Sequence, residues 1–243
     1  MKKILIPLML FGMFTMTFAQ KEVKMVASAS GQTDCKAFSQ FKKGFKTQMT
    51  SYDKKDKVTG VVNQEIIEVG SEEGDLVATC KILTDEKFAK GRNEDFTTKL
   101  RCHNGNFVMN FRDMMGSRTS FSEMKNMEMK ITGDNVEIPY RLSVGQTLPE
   151  STMNMEMIMN GASLMTLSCT MKDRVVEKKE TISSSAGNFD CYKITYKILN
   201  SAGMGEDFSY AIWMENGLTV KTATYDESGK AINYTLLTKL EKP

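Results

Sequence analysis

Between Phe45 and Lys239 almost every periodic segment alternates apolar and polar residues with period two. Short turn signals interrupt the alternation at regular intervals. A helix repeats every 3.6 residues and a strand every two, so this pattern calls for strands with one buried face. Asn-Gly pairs at 104–105, 160–161 and 216–217, and Ser228-Gly229, fall between alternating runs. Such pairs suit tight hairpin turns, because both central residues adopt positive φ. Strands are expected at 45–52, 58–69, 76–83, 94–102, 106–111, 127–132, 136–138, 153–159, 163–171, 175–182, 189–198, 207–214, 218–225 and 231–239. Gly133-Asp134-Asn135 reads as a further hairpin turn. Pro139 and Pro149 bracket a connecting stretch. Asp34–Lys46 and Arg112–Lys125 are the two helical candidates. The expected fold is all-β: an antiparallel β-sandwich or twisted half-barrel.

The first nineteen residues read differently. Lys2 and Lys3 precede an apolar run, Ile4 to Phe14, and Thr17-Phe18-Ala19 supplies small residues where a signal peptidase cuts. This is the form of a cleavable signal peptide with Gln20 as the first mature residue. The run is too short for a bilayer span, which needs about 20 apolar residues. No cysteine follows the cleavage site, so no lipobox is expected. The chain therefore divides into a signal peptide at 1–19 and one β-rich domain at 20–243, with two packed halves meeting near 140–150 as an option. The expected compartment is the periplasm or the exterior, and no integral membrane segment is expected.

Removing the signal takes Lys2 and Lys3 and leaves 30 basic against 30 acidic side chains. That balance gives no electrostatic basis for nucleic-acid binding. Export also makes disulfides available. Five cysteines are present, Cys35, Cys80, Cys102, Cys169 and Cys191, so one or more is left over. Cys80 and Cys102 share a spacing of 22 with Cys169 and Cys191. These four are the disulfide candidates, in the pairs Cys80–Cys102 and Cys169–Cys191. Parity supports the first pair, since both cysteines fall on the apolar sides of their strands. Buried reduced cysteines are the alternative.

Candidate chemistry is sparse. His103 is the single histidine. Its neighbour Cys102 points to the other face of a strand, so the two do not form a nucleophile–base pair. No hydrolase, phosphate-loop or zinc signature occurs. No catalytic residue, metal site or cofactor is expected. The one unusual feature is a methionine stripe: Met153, Met155, Met157 and Met159 occupy alternate positions. On a strand their thioethers share one face, about 7 Å apart. Three readings stand open: a core face, an adaptable apolar groove for a lipid or peptide, or a soft-metal site.

Several segments carry a family resemblance: Arg174–Glu180, Ala186–Ile194, Trp213, and Asn216–Lys221 followed by Tyr225, Gly229 and Lys230. Upstream, Tyr52–Lys55 with Thr59-Gly60, Cys102–Gly105 and Val144–Leu148 fit the same pattern. Together they resemble the TapB-like group of bacterial secreted and envelope proteins, a domain of unknown function. This chain departs from the group at Leu218-Thr219 and in its methionine content. The resemblance implies an antiparallel architecture similar to the periplasmic carriers LolA and LolB. It transfers no catalytic residue. The functional expectation is a non-enzymatic binding or structural module of the envelope, with an envelope protein or lipid as partner. The alternative is a carrier of a lipid or acyl chain on a concave, methionine-lined face.

Overall fold

A computed structural model describes residues 35, 38–85, 95–110, 127–200 and 208–243. The expected signal peptide and the candidate helix at 112–125 lie outside the described residues. Thirteen strands are described: β1 (Lys46–Asp53), β2 (Val58–Glu72), β3 (Asp75–Thr84), β4 (Asp95–His103), β5 (Asn106–Met109), β6 (Met127–Gly133), β7 (Val136–Pro139), β8 (Ser151–Met159), β9 (Ala162–Ser184), β10 (Gly187–Asn200), β11 (Phe208–Glu215), β12 (Leu218–Tyr225) and β13 (Ala231–Glu241). All pair antiparallel in one open sheet of order β6-β8-β9-β10-β11-β12-β13-β1-β2-β3-β4-β5-β7. The all-β expectation holds, and the sheet is a curled one. Side chains from opposite flanks share one core: Ile66, Cys80 and Phe96 from one, Ile194, Trp213 and Val220 from the other.

The hairpin turns behave as their residues require. Asn104, Asn160 and Asn216 have φ of 48, 52 and 48°, each followed by a glycine at 78–79°. Type I′ geometry needs positive φ at both central positions, and Asn-Gly meets that with the least steric cost.

Three expectations change. Residues 163–171 and 175–182 form the single strand β9, 23 residues long. Asp173 takes φ +53° there, and the β9–β10 register shifts on either side of Ile194 and Thr195. The interruption is absorbed as bulges within a continuous strand rather than as a turn. The second change concerns 34–46. Its described residues form tight turns, with Phe38 N–H bonded to Cys35 O, Phe41 N–H to Phe38 O, and Phe45 N–H to Lys42 O. Phe38, Phe41 and Phe45 are each buried, so the chain follows their separate packing sites instead of one helical face.

The third change has the largest consequence. Gly133-Asp134-Asn135 is no hairpin turn, because β6 and β7 do not pair and lie at opposite edges of the sheet. Asp134 stays with the β6–β8 edge: its N–H bonds Thr152 O at 2.9 Å, and its carbonyl accepts from Ser151 Oγ at 3.2 Å. Gly133 has φ +131°, and a Cβ there would stand 2.1 Å from Thr152 O. Beyond Asn135 the chain enters β7, which pairs with β5. Three peptide units separate Gly133 from Val136, so the two sheet edges come within about 11 Å of each other here.

A buried arginine bridges the same seam. Arg174 of β9 is 2% exposed. Its Nη1 donates to Pro149 O at 2.6 Å and its Nη2 to Glu137 O of β7 at 2.9 Å. Burial lowers its pKa from the ordinary arginine value, while Tyr196 and Glu137 oppose the shift. The connecting stretch docks alongside. Gly145 N–H bonds Val176 O, Val176 N–H bonds Gln146 O, and Leu148 N–H bonds Arg174 O. Replacing Arg174 with methionine keeps the apolar stem and deletes two charge-assisted donors. A loss of about 2 kcal/mol in unfolding free energy is expected, read from urea denaturation with an unchanged m-value.

Candidate functional site

On β1–β5 the period-two pattern produces one face whose rows follow from register. Thr47 lies opposite Gln64, Gln64 opposite Ile82, and Ile82 opposite Phe96. Met49, Val62 and Thr84 form a parallel row, as do Ile66, Cys80 and Thr98. These rows wall a cavity of about 370 Å³, which the β11–β12 turn, Gly217-Leu218-Thr219, reaches from the other flank. The volume lies within the range of about 300–1,000 Å³ usual for small-molecule sites. The lining is mostly apolar. Lys99 is its one charged member among the described residues, and the Lys99 ammonium is held by Glu72 Oε1 at 2.6 Å.

The segment before β1 lies against this cavity. Phe38, 1% exposed, stands edge-on to Tyr140 with ring centres 5.0 Å apart, and 6.4 Å from Phe107. It also fixes the identity of residue 217. A Cβ on Gly217 would come 2.3 Å from Phe38 Cδ1 and 2.7 Å from Gln40 Nε2. A disulfide, Cys35–Cys102, ties the segment to the end of β4. It spans 67 positions of sequence, a loop whose closure removes about 4 kcal/mol of unfolded-chain entropy in the loop-entropy account.

The candidate disulfide pairs are therefore not the bonds formed. Cys102 is joined to Cys35, while Cys80, Cys169 and Cys191 are free. Register explains the difference. Cys80 lies opposite Thr98, and Cys102 opposite Leu76, so the two share a face but stand four residues apart along the sheet. Cys169 lies opposite Asn200, and Cys191 opposite Glu180, near opposite ends of the β9–β10 pair. Burial pushes the thiols of Cys80 and Cys191 up to about 12, so both are held as thiols.

The methionine stripe lies elsewhere. Met153, Met155, Met157 and Met159 run along β8, facing Cys169, Leu167, Met165 and Ala162 of β9 in register. The first three are half-buried and Met159 is 39% exposed. None of the four lines the cavity, where the methionines are Met49 and Met109. Among the described residues no group of three His, Cys, Asp or Glu side chains is placed to hold a metal. His103 sits at the β4–β5 turn, where its Nδ1 meets Asp75 Oδ1 and its Nε2 meets the Asn104 side chain.

Sequence reasoning missed Cys35, Phe38 and Gln40. Their signal was slight: three phenylalanines at 38, 41 and 45 with a cysteine before them. A second polar cluster also escaped it. Trp213 Nε1–H donates to Glu180 Oε1 at 2.6 Å, and the ammonium groups of Lys221 and Lys193 lie 4.8 and 5.5 Å from the indole centre. The indole hydrogen bond is the main cause that lowers the Glu180 pKa, with Lys178 adding to it against partial burial.

Comparison with known proteins gives a consistent picture of the fold. A family profile described as DUF3108-like matches residues 42–237. A crystal structure of a Bacteroides fragilis protein, described as exported and of YmcC-like fold, superposes with a TM-score of 0.61 at 18% identity. It covers 83% of this chain and 97% of its own. A Parabacteroides distasonis protein described as a lipoprotein gives 0.61 at 22% identity, covering 82% of this chain and 96% of its own. No curated protein matches the chain. Both superpositions are made at low identity, so the YmcC-like fold is what they establish.

Trp213 is the chain's one tryptophan, so its emission reports directly on Glu180. The folded pKa of this carboxylate is depressed, so its stabilising contribution is present above the unfolded glutamate pKa and lost as pH falls through the folded value. Acid titration should shift Trp213 emission with a midpoint below the ordinary glutamate range. Glu180→Gln should abolish that shift while leaving the far-ultraviolet spectrum intact.

Proposed function

This chain belongs to the DUF3108-like family, and we propose that it is an exported, non-enzymatic binding protein of the bacterial envelope that holds a small apolar ligand in the β1–β5 cavity. The observation that carries the reading is the cavity itself: about 370 Å³ walled by mostly apolar rows, with the one charged group of its described lining already paired. Small-molecule sites have this character, a concave apolar surface with a few placed polar groups. Export is supported by the signal-like residues 1–19 and by descriptions of the two superposed proteins as an exported protein and a lipoprotein. The TapB-like resemblance remains our finer reading of the same turn and core motifs.

The state of four of the five cysteines supports the non-enzymatic reading; the fifth, Cys169, is a half-buried free thiol. Cys102 is consumed in a disulfide, and Cys80 and Cys191 are held protonated by burial. His103 is engaged by Asp75 at an exposed turn. Among the described residues no helix is long and apolar enough to cross a membrane.

A second apolar surface favours an alternative location for the ligand. Met159, Leu164 and Met165 are 39%, 55% and 38% exposed at the β8–β9 hairpin, next to the methionine stripe. One experiment separates the two locations. Leu100→Trp narrows the cavity, whereas Met157→Thr alters only the stripe. With a fluorescent apolar probe such as N-phenyl-1-naphthylamine, Leu100→Trp should weaken binding at least about tenfold, the effect of losing roughly 1.4 kcal/mol of contact. Met157→Thr should change it less than about twofold. The reverse order would move the site to the stripe, and no binding by the wild type would overturn the carrier reading. Melting curves of both variants confirm that each is folded.

A further inference from the structure

The cavity lining is mostly apolar, and one of its polar side chains stands apart. Gln40 is 4% exposed and lines the cavity. Neither its Oε1 nor its Nε2 has a hydrogen-bond partner among the described residues. Other polar side chains of the wall differ in this respect. Buried Thr47 donates from Oγ1 to Gln64 Oε1 at 3.1 Å, and the half-exposed Lys99 is held by Glu72. A buried amide without partners costs about 1–3 kcal/mol relative to a satisfied one. Buried polar groups in folded proteins are nearly always paired. The exceptions among the described residues are Arg174 Nε, whose guanidinium is held by its other two nitrogens, and the whole amide of Gln40, which lines the cavity and so marks a place where a ligand group supplies the partner.

The chemistry of that partner follows from the amide. A primary amide presents an acceptor and a donor side by side in one plane. The complement is a group with a donor and an acceptor in the same arrangement: another primary amide or a protonated carboxyl. A carboxylate lacks the donor, and Lys99, the cation of the described lining, is already ion-paired. Burying an unpaired charge there is costly. Among the described residues the lining otherwise holds one titratable side chain, Cys80, whose thiol stays neutral.

We propose that the cavity takes an amphipathic ligand with an apolar chain and an uncharged amide or carboxylic acid head, docked head-first on the side-chain amide of Gln40. This rests on the reading of the cavity as the binding site and adds the identity of the head group. Gly217 is part of the device. Its missing Cβ leaves the room that Phe38 and Gln40 occupy, so the turn glycine sets the position of the amide.

The test is competition with N-phenyl-1-naphthylamine on the full chain, using decanamide, methyl decanoate and decanoate at pH 8. Methyl decanoate keeps the chain and an acceptor but has no donor; decanoate keeps the chain but is charged. Decanamide should bind about tenfold tighter than methyl decanoate, the effect of satisfying one buried group. It should also bind tighter than decanoate. In Gln40→Met the preference for decanamide over the ester should fall to about twofold or less, with ester binding retained. Decanoic acid at pH 4, compared with decanamide, identifies which of the two head groups is preferred. Equal binding of decanamide and methyl decanoate to the wild type, tighter binding of decanoate, or a preference that survives in Gln40→Met would each overturn the head-group assignment and leave the apolar site standing. Failure of every member to displace the probe would overturn the site itself. The wild-type comparison decides the matter even if Gln40→Met does not fold.

Discussion

Two strands consecutive in the chain, β6 and β7, lie at opposite edges of a thirteen-stranded sheet. The covalent link through Asp134 and Asn135 therefore brings the edges together at one point, and a flat sheet of this width is excluded. Curling alone would leave a seam of unpaired edge groups, a liability in any open sheet. Arg174 meets part of that need by donating from β9 to the carbonyl of Glu137 on β7. The stretch 145–148 meets another part by pairing its backbone with residues 174–176. The guanidinium fork suits the task because its donors diverge in one plane and reach two carbonyls on different segments. A lysine, with one compact charge, would not span them.

Once the sheet is curled, its inner face must be filled, and the two flanks are filled differently. The β10–β12 flank contributes Phe189, Ile194, Trp213 and Val220, all buried. The β1–β5 flank sets Thr47, Gln64, Thr84 and Thr98 among its apolar rows. Those side chains fill the space less completely than leucine or phenylalanine would, and the cavity is the result. Well-packed interiors keep few voids of this size. The segment carrying Phe38 and Gln40, held by Cys35–Cys102, bounds the space without filling it.

Local features were legible in the sequence; long-range ones were not. Asn-Gly turns specify themselves, because the required φ values exclude most other residues. Strand positions followed from alternation, and parity placed Cys80 and Cys102 on one face, as their register partners confirm. Parity carries no information on offset along the strand, so the pairing Cys80–Cys102 looked available when it was four residues out of reach. The same blindness affected Gly133-Asp134-Asn135. Its composition is that of a turn, and only the bonds to Ser151 and Thr152 show that the chain continues along one edge before crossing to the other. The spacing of Phe38, Phe41 and Phe45 imitates a helix face, yet these buried rings sit in tight turns, with Phe38 packed on Phe41, Phe107 and Tyr140.

The methionine stripe and the cavity make a useful contrast in how a site is recognised. The stripe stands out because four identical residues recur at period two, and along β8 that repetition lays them on one face of a half-exposed strand. The cavity has no such regularity. Its parts come from β1–β5, from the segment before β1 and from a turn between β11 and β12, scattered from Gln40 to Thr219. Gly217 shows how tightly these parts are joined, since the residue required by the type I′ turn is also the residue that leaves room for Phe38 and Gln40. Turn chemistry at one end of the sequence thereby positions a buried amide contributed by the other. Such a dependence exists only in the folded molecule, because it arises from the curl that joins β6 to β7 and brings the flanks face to face.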